Sequence, residues 1–202
     1  MKKQPELTAQ TRDNLAEAFW QIYCKTRLEK ITVKQITMKA GYNRSTFYQY
    51  FTGVYDVLDH IENSVLPGSH DFPHLDQMPA SGPPITIDAI ARMFEKNRKY
   101  YVVLFGDNGD PSFQSKFKNY MKTMVKKHLD AGGIAATFEI ELTLEFMISA
   151  MIGVLTYWFR LKDPPPTEQL FLLVGNLMHN GINSVFGMRS DGKPGVGIKH
   201  PF

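Results

Sequence analysis

The chain has 202 residues, of which 43% are hydrophobic, 12% aromatic and 21% charged, enough for one or two domains with real cores and unlike a disordered composition. Its single cysteine, Cys24, excludes an internal disulfide framework and a cysteine-based metal cluster. The net charge of +3 is unevenly spread: residues 1–53 hold nine Lys/Arg against four acids, while the remaining 149 hold 14 against 16. A basic amino-terminal quarter on a slightly acidic body is the pattern of a chain whose one end meets a polyanion.

The opening Met-Lys-Lys-Gln-Pro-Glu leads into polar sequence with no apolar signal-peptide core. The longest charge-free apolar stretch, Phe146 to Phe159, has 14 residues, short of the roughly 20 that span a bilayer. A cytoplasmic protein without membrane contact is the expectation.

Helical periodicity begins at Thr8 and runs to about Arg27, with Leu15, Ala18, Phe19, Ile22 and Tyr23 on one face. Thr32 is placed to cap a short helix bearing Val33, Ile36 and Ala40, which Gly41 ends. Asn43 can cap the next, Arg44 to Tyr50, and a fourth runs from near Val54 to Leu66. Residues 67–84, with five prolines, read as a loop. Ile85 to Phe105 is periodic again. Asp110 and Pro111 open a helix that ends at Gly132-Gly133, and a very apolar helix spans about Phe138 to Leu161. Thr167 caps a last helix reaching about Phe186, and a Gly- and Pro-bearing tail follows. No strand pattern and no internal repeat appears, so the expected fold class is all-α. The expected domains are a helix-turn-helix unit at 1–53, a helical body at 54–188 and an irregular tail at 189–202.

Residues 32–51 carry the functional signal. Two short helices joined by a turn that begins with Gly41 make a helix-turn-helix, whose second helix enters the DNA major groove. Ile36, Ala40, Phe47 and Phe51 are spaced to lock the pair over the first helix, leaving Arg44, Ser45, Thr46, Tyr48, Gln49 and Tyr50 as a polar, aromatic face. Arg44 can read guanine and Gln49 adenine. Thr32, Lys34, Ser45, Thr46, Tyr48, Tyr50 and Thr52 suit backbone positioning, with Asn43 at the start of the reading helix.

These residues resemble the TetR family of bacterial transcriptional regulators. Ile36, Ala40-Gly41, Arg44, Thr46-Phe47-Tyr48, Phe51 and Leu58 stand in that family's order and spacing. The resemblance covers about residues 8–66 in motif and the body in length and helix pattern. It implies a homodimer, each subunit giving one helix-turn-helix to half of a palindromic operator, and an unidentified small-molecule effector that releases a repressor from DNA. One departure is Val54, preceded by Gly53, where many members carry a lysine that opens the fourth helix and reaches a phosphate. Losing such a contact lowers affinity and the salt slope by about one unit. It leaves room for a second reading, a TetR-like protein that has given up DNA for a protein partner.

In the body, the helix from Glu139 is apolar nearly all round, and such a helix must be covered on every face. With the last helix it is the expected two-fold interface, through Phe146, Leu155, Phe159, Val174, Leu177, Met178 and Ile182. The resemblance implies the same place. Candidates for a ligand pocket are Phe94, Tyr101, Phe117, Met121, Met147, Met151, Tyr157 and Trp158, since thioethers and rings adapt to apolar ligands.

No other motif points to chemistry. His70 and His74 with Asp71 and Asp76 lack the spacing of a preorganised metal site. Asp107 to Asp110 resembles the start of a calcium loop, but Lys118 stands where its closing glutamate belongs. Cys24 reads as a small buried hydrophobe, and Lys122, Lys126 and Lys127 as a solvated basic face. Neither a phosphate loop, a nucleophile elbow nor a zinc helix is present. The expectation is a non-enzyme with no cofactor.

Overall fold

A computed structural model describes residues 5–66, 87–107, 109–133, 135 and 137–180. Within them the chain is helical, with no strand. The elements are α1 (Pro5–Tyr23), α2 (Val33–Ala40), α3 (Arg44–Phe47), α4 (Val54–Val65), α5 (Ile87–Lys96), α6 (Arg98–Leu104), α7 (Pro111–Ala131), α8 (Phe138–Arg160) and α9 (Thr167–Asn180). A 3₁₀ turn at Leu28–Lys30 joins α1 to α2. The expected loop at 67–84, the tail from 189 and the paired histidines at 70 and 74 lie outside the described residues.

The amino-terminal unit forms because its apolar residues fall on facing helix stripes. Leu15, Phe19 and Tyr23 of α1 meet Ile36 of α2, Phe47 at the end of α3, and Val57, Leu58 and Ile61 of α4, all at most 4% exposed. α1 packs against both α2 and α4. Trp20 is also buried, although it lies off the expected stripe, because Tyr100 of α6 covers it at a ring separation of 4.7 Å. Cys24 corrects the expectation of burial: it follows the last turn of α1 and is exposed.

The body is built around packed rings. Phe94 of α5 lies 4.7 Å from Tyr101 of α6 and 5.1 Å from Phe171 of α9, and Phe105 stacks on Phe159 of α8 at 5.8 Å. Phe113 and Phe117 of α7 close the cluster. Such ring pairs add about 0.5–1.5 kcal/mol each beyond the area they bury. The periodic stretch expected as one element from Ile85 to Phe105 is two helices. The first stops at Lys96 and the second starts after Asn97, allowing Phe94 and Tyr101 to face the same core. In the turn before α7, Gly109 has to be glycine, since a Cβ there would sit 2.1 Å from the Leu104 carbonyl oxygen. Asp110 caps α7 by accepting from the Ser112 amide at 2.8 Å and the Ser112 hydroxyl at 2.7 Å.

Polar contacts join the two units. The buried Tyr101 hydroxyl donates to the Val65 carbonyl at the end of α4. Lys116 of α7 reaches Asp59 at 2.5 Å and the fully buried Glu62 at 2.6 Å, both on α4. At the far end, the Trp158 indole donates to the Pro165 carbonyl at 3.0 Å while the Arg98 guanidinium lies 4.7 Å from its ring centre. Lys118 and Lys122 of α7 grip Glu145 of α8 and hold its carboxyl down at about 2, and Lys126 pairs with Glu141. Lys122 and Lys126, expected as part of a solvated basic patch, are therefore matched by acids on the neighbouring helix.

Tyr23 gives this core a pH dependence. Burial first, then the carboxylates of Asp110 and Glu62, push its phenol up to about 12. In the unfolded chain it ionises near pH 10. Between those values the folded state holds a proton that the unfolded state has released, so stability falls as pH rises through the window. Tyr23→Phe is expected to flatten the decline of Tm between pH 10 and 12, read by circular dichroism; an unchanged slope refutes the assignment.

Candidate nucleic-acid interface

The helix-turn-helix is made by local hydrogen bonding. The Thr32 hydroxyl accepts from the Gln35 amide at 3.3 Å while the Gln35 side chain accepts from the Thr32 amide at 2.8 Å, a complete capping box at the start of α2. The amides of Val33 and Lys34, in the first turn, have no carbonyl four residues behind them within the helix. Gly41 ends α2 in the left-handed region at φ 74°, where a side chain would be strained, and the Tyr42 amide returns to the Thr37 carbonyl at 2.9 Å. The Tyr42 hydroxyl accepts from Asn14 of α1 at 3.0 Å, which pins the turn.

Asn43 organises the next helix. Its Oδ1 accepts from the Thr46 amide at 2.7 Å, the Ser45 hydroxyl at 2.7 Å and the Thr46 hydroxyl at 2.9 Å. The regular part of α3 is one turn, Arg44–Phe47, and the chain from Tyr48 to Tyr50 continues as turns. Phe47 anchors it at 0% exposure and Phe51 lies 5.7 Å away, ring to ring.

On the outer side Arg44, Ser45, Tyr48 and Gln49 are exposed, beside Thr32 and Lys34 at the head of α2. Tyr48 is 58% exposed and stands edge-on to Phe47 at 5.4 Å. Thr46 and Tyr50 are half-buried, and Tyr50 packs against the core. Thr52 is exposed but engaged: its amide and hydroxyl donate to Asp56 at 2.7 and 3.1 Å. Val54, in the position discussed above, is half-buried against the same core. Sequence reasoning missed Asp56, although an acid in the first turn of a helix, four residues after a threonine, is a legible capping signal.

The pocket candidates divide by burial. Phe94, Tyr101 and Phe117 are closed within the ring cluster and Trp158 is covered by Arg98, so these four fill the core as they stand. Met121, Met147 and Met151 are half-buried, and Tyr157 is 68% exposed. The interface candidates need a correction too. Leu155, Phe159 and Val174 are at most 8% exposed within one subunit, so no second copy has their area to cover. Phe146 is 72% exposed, Leu177 half-buried, the Met178 side chain and Ile182 outside the described parts. The outward apolar residues are Phe138, Leu142, Phe146 and Tyr157 on α8 and Leu172 and Leu173 on α9. Periodicity could not separate the two sets because α8 is apolar on both.

Among the described residues no group of three or more His, Cys, Asp or Glu converges to hold a metal ion, and no helix is long and apolar enough to cross a membrane.

In sequence, residues 84–180 match the family model of a TetR-type transcriptional regulator C-terminal region. No curated protein matches the chain. In structure it is similar to a TetR transcriptional regulator from Streptococcus agalactiae (TM-score 0.63, 20% identity, 86% of this chain and 96% of that one). It is similar also to the fatty acid degradation regulator FadR from Bacillus halodurans (0.62, 16%, 90% and 98%) and to the dihydroxyacetone kinase operon activator DhaS (0.57, 20%, 86% and 97%). Residues 84–180 are thus a TetR-type transcriptional regulator C-terminal region, set in a fold that this chain shares over its greater part with TetR-family structures.

Proposed function

We propose that the protein is a homodimeric, sequence-specific DNA-binding repressor that reads a palindromic operator and is released by a small-molecule effector. The observation that carries this reading is the exposed face of Arg44, Ser45, Tyr48 and Gln49, mounted on a capped turn next to the head of α2. In this reading Arg44 and Gln49 contact base edges. The first-turn amides of α2, with Lys34 and Tyr48, hold phosphates, while Thr32, Ser45 and Thr46, whose hydroxyls donate to Gln35 and Asn43, shape the backbone that presents them. Asn43 and Thr52 position the chain, through the bonds to Ser45, Thr46 and Asp56, and Tyr50 supports the reading face from its half-buried place. Residues 1–53, completed by α4, are the reading unit, the rest of 54–188 the effector and dimer body, and the protein works in the cytoplasm on the nucleoid. The direction of control follows the family resemblance; DhaS, similar in fold, is named an activator.

The dimer contact in this proposal is the outward stripe of α8, Leu142, Phe146 and Tyr157, with Leu172 and Leu173 of α9. These side chains, 43% to 72% exposed, are apolar area that a two-fold partner would cover.

Selection of random duplexes by the purified protein is expected to enrich a palindrome with half-site centres about one helical turn apart. Arg44→Ala should cost about 1–3 kcal/mol on the selected operator and little on random DNA. Equal losses on both would remove Arg44 from base reading, and no enrichment from a folded dimer would favour the reading in which Val54 marks a loss of DNA binding. Phe146→Glu should shift sedimentation from dimer to monomer with the helical spectrum intact; an unchanged dimer overturns the interface. Trp158, at 2% exposure, cannot serve that test, because its substitution strikes the subunit core.

A further inference from the structure

Between α4 and the head of α7 lies a cavity of about 410 Å³, lined by Tyr55, Asp56, Asp59, Glu62, Asp110 and Lys116 among others. Its volume is in the range of small-molecule sites. It is apart from the ring cluster and from the DNA-reading face. Four carboxylates face one ammonium here, an imbalance that leaves the cavity strongly negative.

The charge is not merely a solvated surface cluster. Glu62 is 0% exposed, and while its Oε2 takes the Lys116 ammonium at 2.6 Å, its Oε1 is buried with no hydrogen-bond partner. A buried carboxylate oxygen without a donor is costly and is relieved by any cation that can reach it. Burial accordingly pushes the Glu62 carboxyl above its ordinary range, against the pull of Lys116. Asp59 is on the same face one turn earlier, bound to the same ammonium at 2.5 Å. On the same face of α4 stands the Tyr55 ring, 65% exposed, next to the carboxylates. An exposed ring and neighbouring carboxylates suit a cation that carries an apolar body. They do not suit a bare metal ion, for which no set of three converging ligands exists among the described residues.

We propose that this cavity binds a small primary-ammonium ligand, whose nitrogen enters at the exposed Asp59 carboxylate, shared with Lys116, and takes Glu62 Oε1 as that side chain turns toward it, while its carbon chain lies on Tyr55. The site is placed to act on the DNA-reading unit. Its three α4 carboxylates, Asp56, Asp59 and Glu62, stand three residues apart on one face, and Asp56 holds the Thr52 amide and hydroxyl at the exit of the helix-turn-helix. A new cation near Asp56 competes with those bonds. This consequence for DNA rests on the function proposed above, whereas binding itself does not.

The test is calorimetric titration of the full chain with 1,4-diaminobutane at neutral pH and low salt, with 1,4-butanediol as the uncharged molecule of the same length. Saturable binding of one diamine per chain is expected, with none for the diol. Glu62→Gln and Asp59→Asn, each checked for an unchanged helical spectrum, should each weaken binding by about tenfold or more, the loss of one charge-assisted bond. Asp59 is half-exposed, so its variant keeps the test open should the buried Glu62 variant fail to fold. Lys116→Gln should act oppositely and tighten binding, because it frees two carboxylates. Absence of saturable binding, equal binding of the diol, or affinity indifferent to Asp59 and Lys116 overturns the proposal. DNA plays no part in the titration, so a chain that enriches an operator yet ignores the diamine loses this inference alone, and one that binds the diamine without reading DNA keeps it.

Discussion

The structure hangs on α4, a helix of 12 residues that belongs to two cores at once. Val57, Leu58 and Ile61 complete the packing of the helix-turn-helix, while the Val65 carbonyl takes the Tyr101 hydroxyl and Glu62 takes Lys116 from the body. A buried hydroxyl and a buried carboxylate each need a partner, and here the partners are supplied by the other unit. The orientation of the helix-turn-helix is therefore tied to α6 and α7. Any force that displaces α4 from the body has to leave Glu62 and the Val65 carbonyl unsatisfied or supply replacements.

That arrangement separates rigidity from sensitivity. The turn that carries Arg44 is over-determined: a capping box at Thr32, a left-handed glycine at 41, three donors converging on Asn43 and a buried Phe47 all specify the same backbone. The link to the body adds polar contacts to the apolar core that the two share. Among the described residues it includes the Tyr101 bond, the Lys116 pairings, the Trp20–Tyr100 contact and an exposed pairing of Lys99 with Glu17 at 3.5 Å. A few polar contacts across a joint are the kind of element that ligand binding can bias between two arrangements.

Much of this was legible in the amino acids where the cause is local. Thr32, Gly41 and Asn43 announce caps and a turn through their own chemistry, and the helix boundaries they imply match the structure within a few residues. The sequence resemblance located the family from the same residues. What stayed hidden depends on contacts across long separations. Phe146 and Leu155 are equally apolar residues on one helix, yet one faces outward and the other is sealed, because only the packing of α6 and α7 against α8 decides which stripe is inside. Glu62 reads as an ordinary helical acid until Lys116, 54 residues away, is seen to bury it. Trp20 falls off the apolar stripe of α1 for the same reason.

The two tryptophans of the chain fall at mechanically different points. Trp20 bridges α1 to Tyr100 of α6, across the joint between the amino-terminal unit and the body, whereas Trp158 lies under Arg98, inside the body. Indole emission responds to the polarity and packing around the ring, so the protein carries a built-in optical gauge. Replacing either residue by phenylalanine would leave a single emitter, one that reports the joint or one that reports the interior. Motion of the head against the body and loosening of the body itself thereby become separable signals in an unlabelled chain.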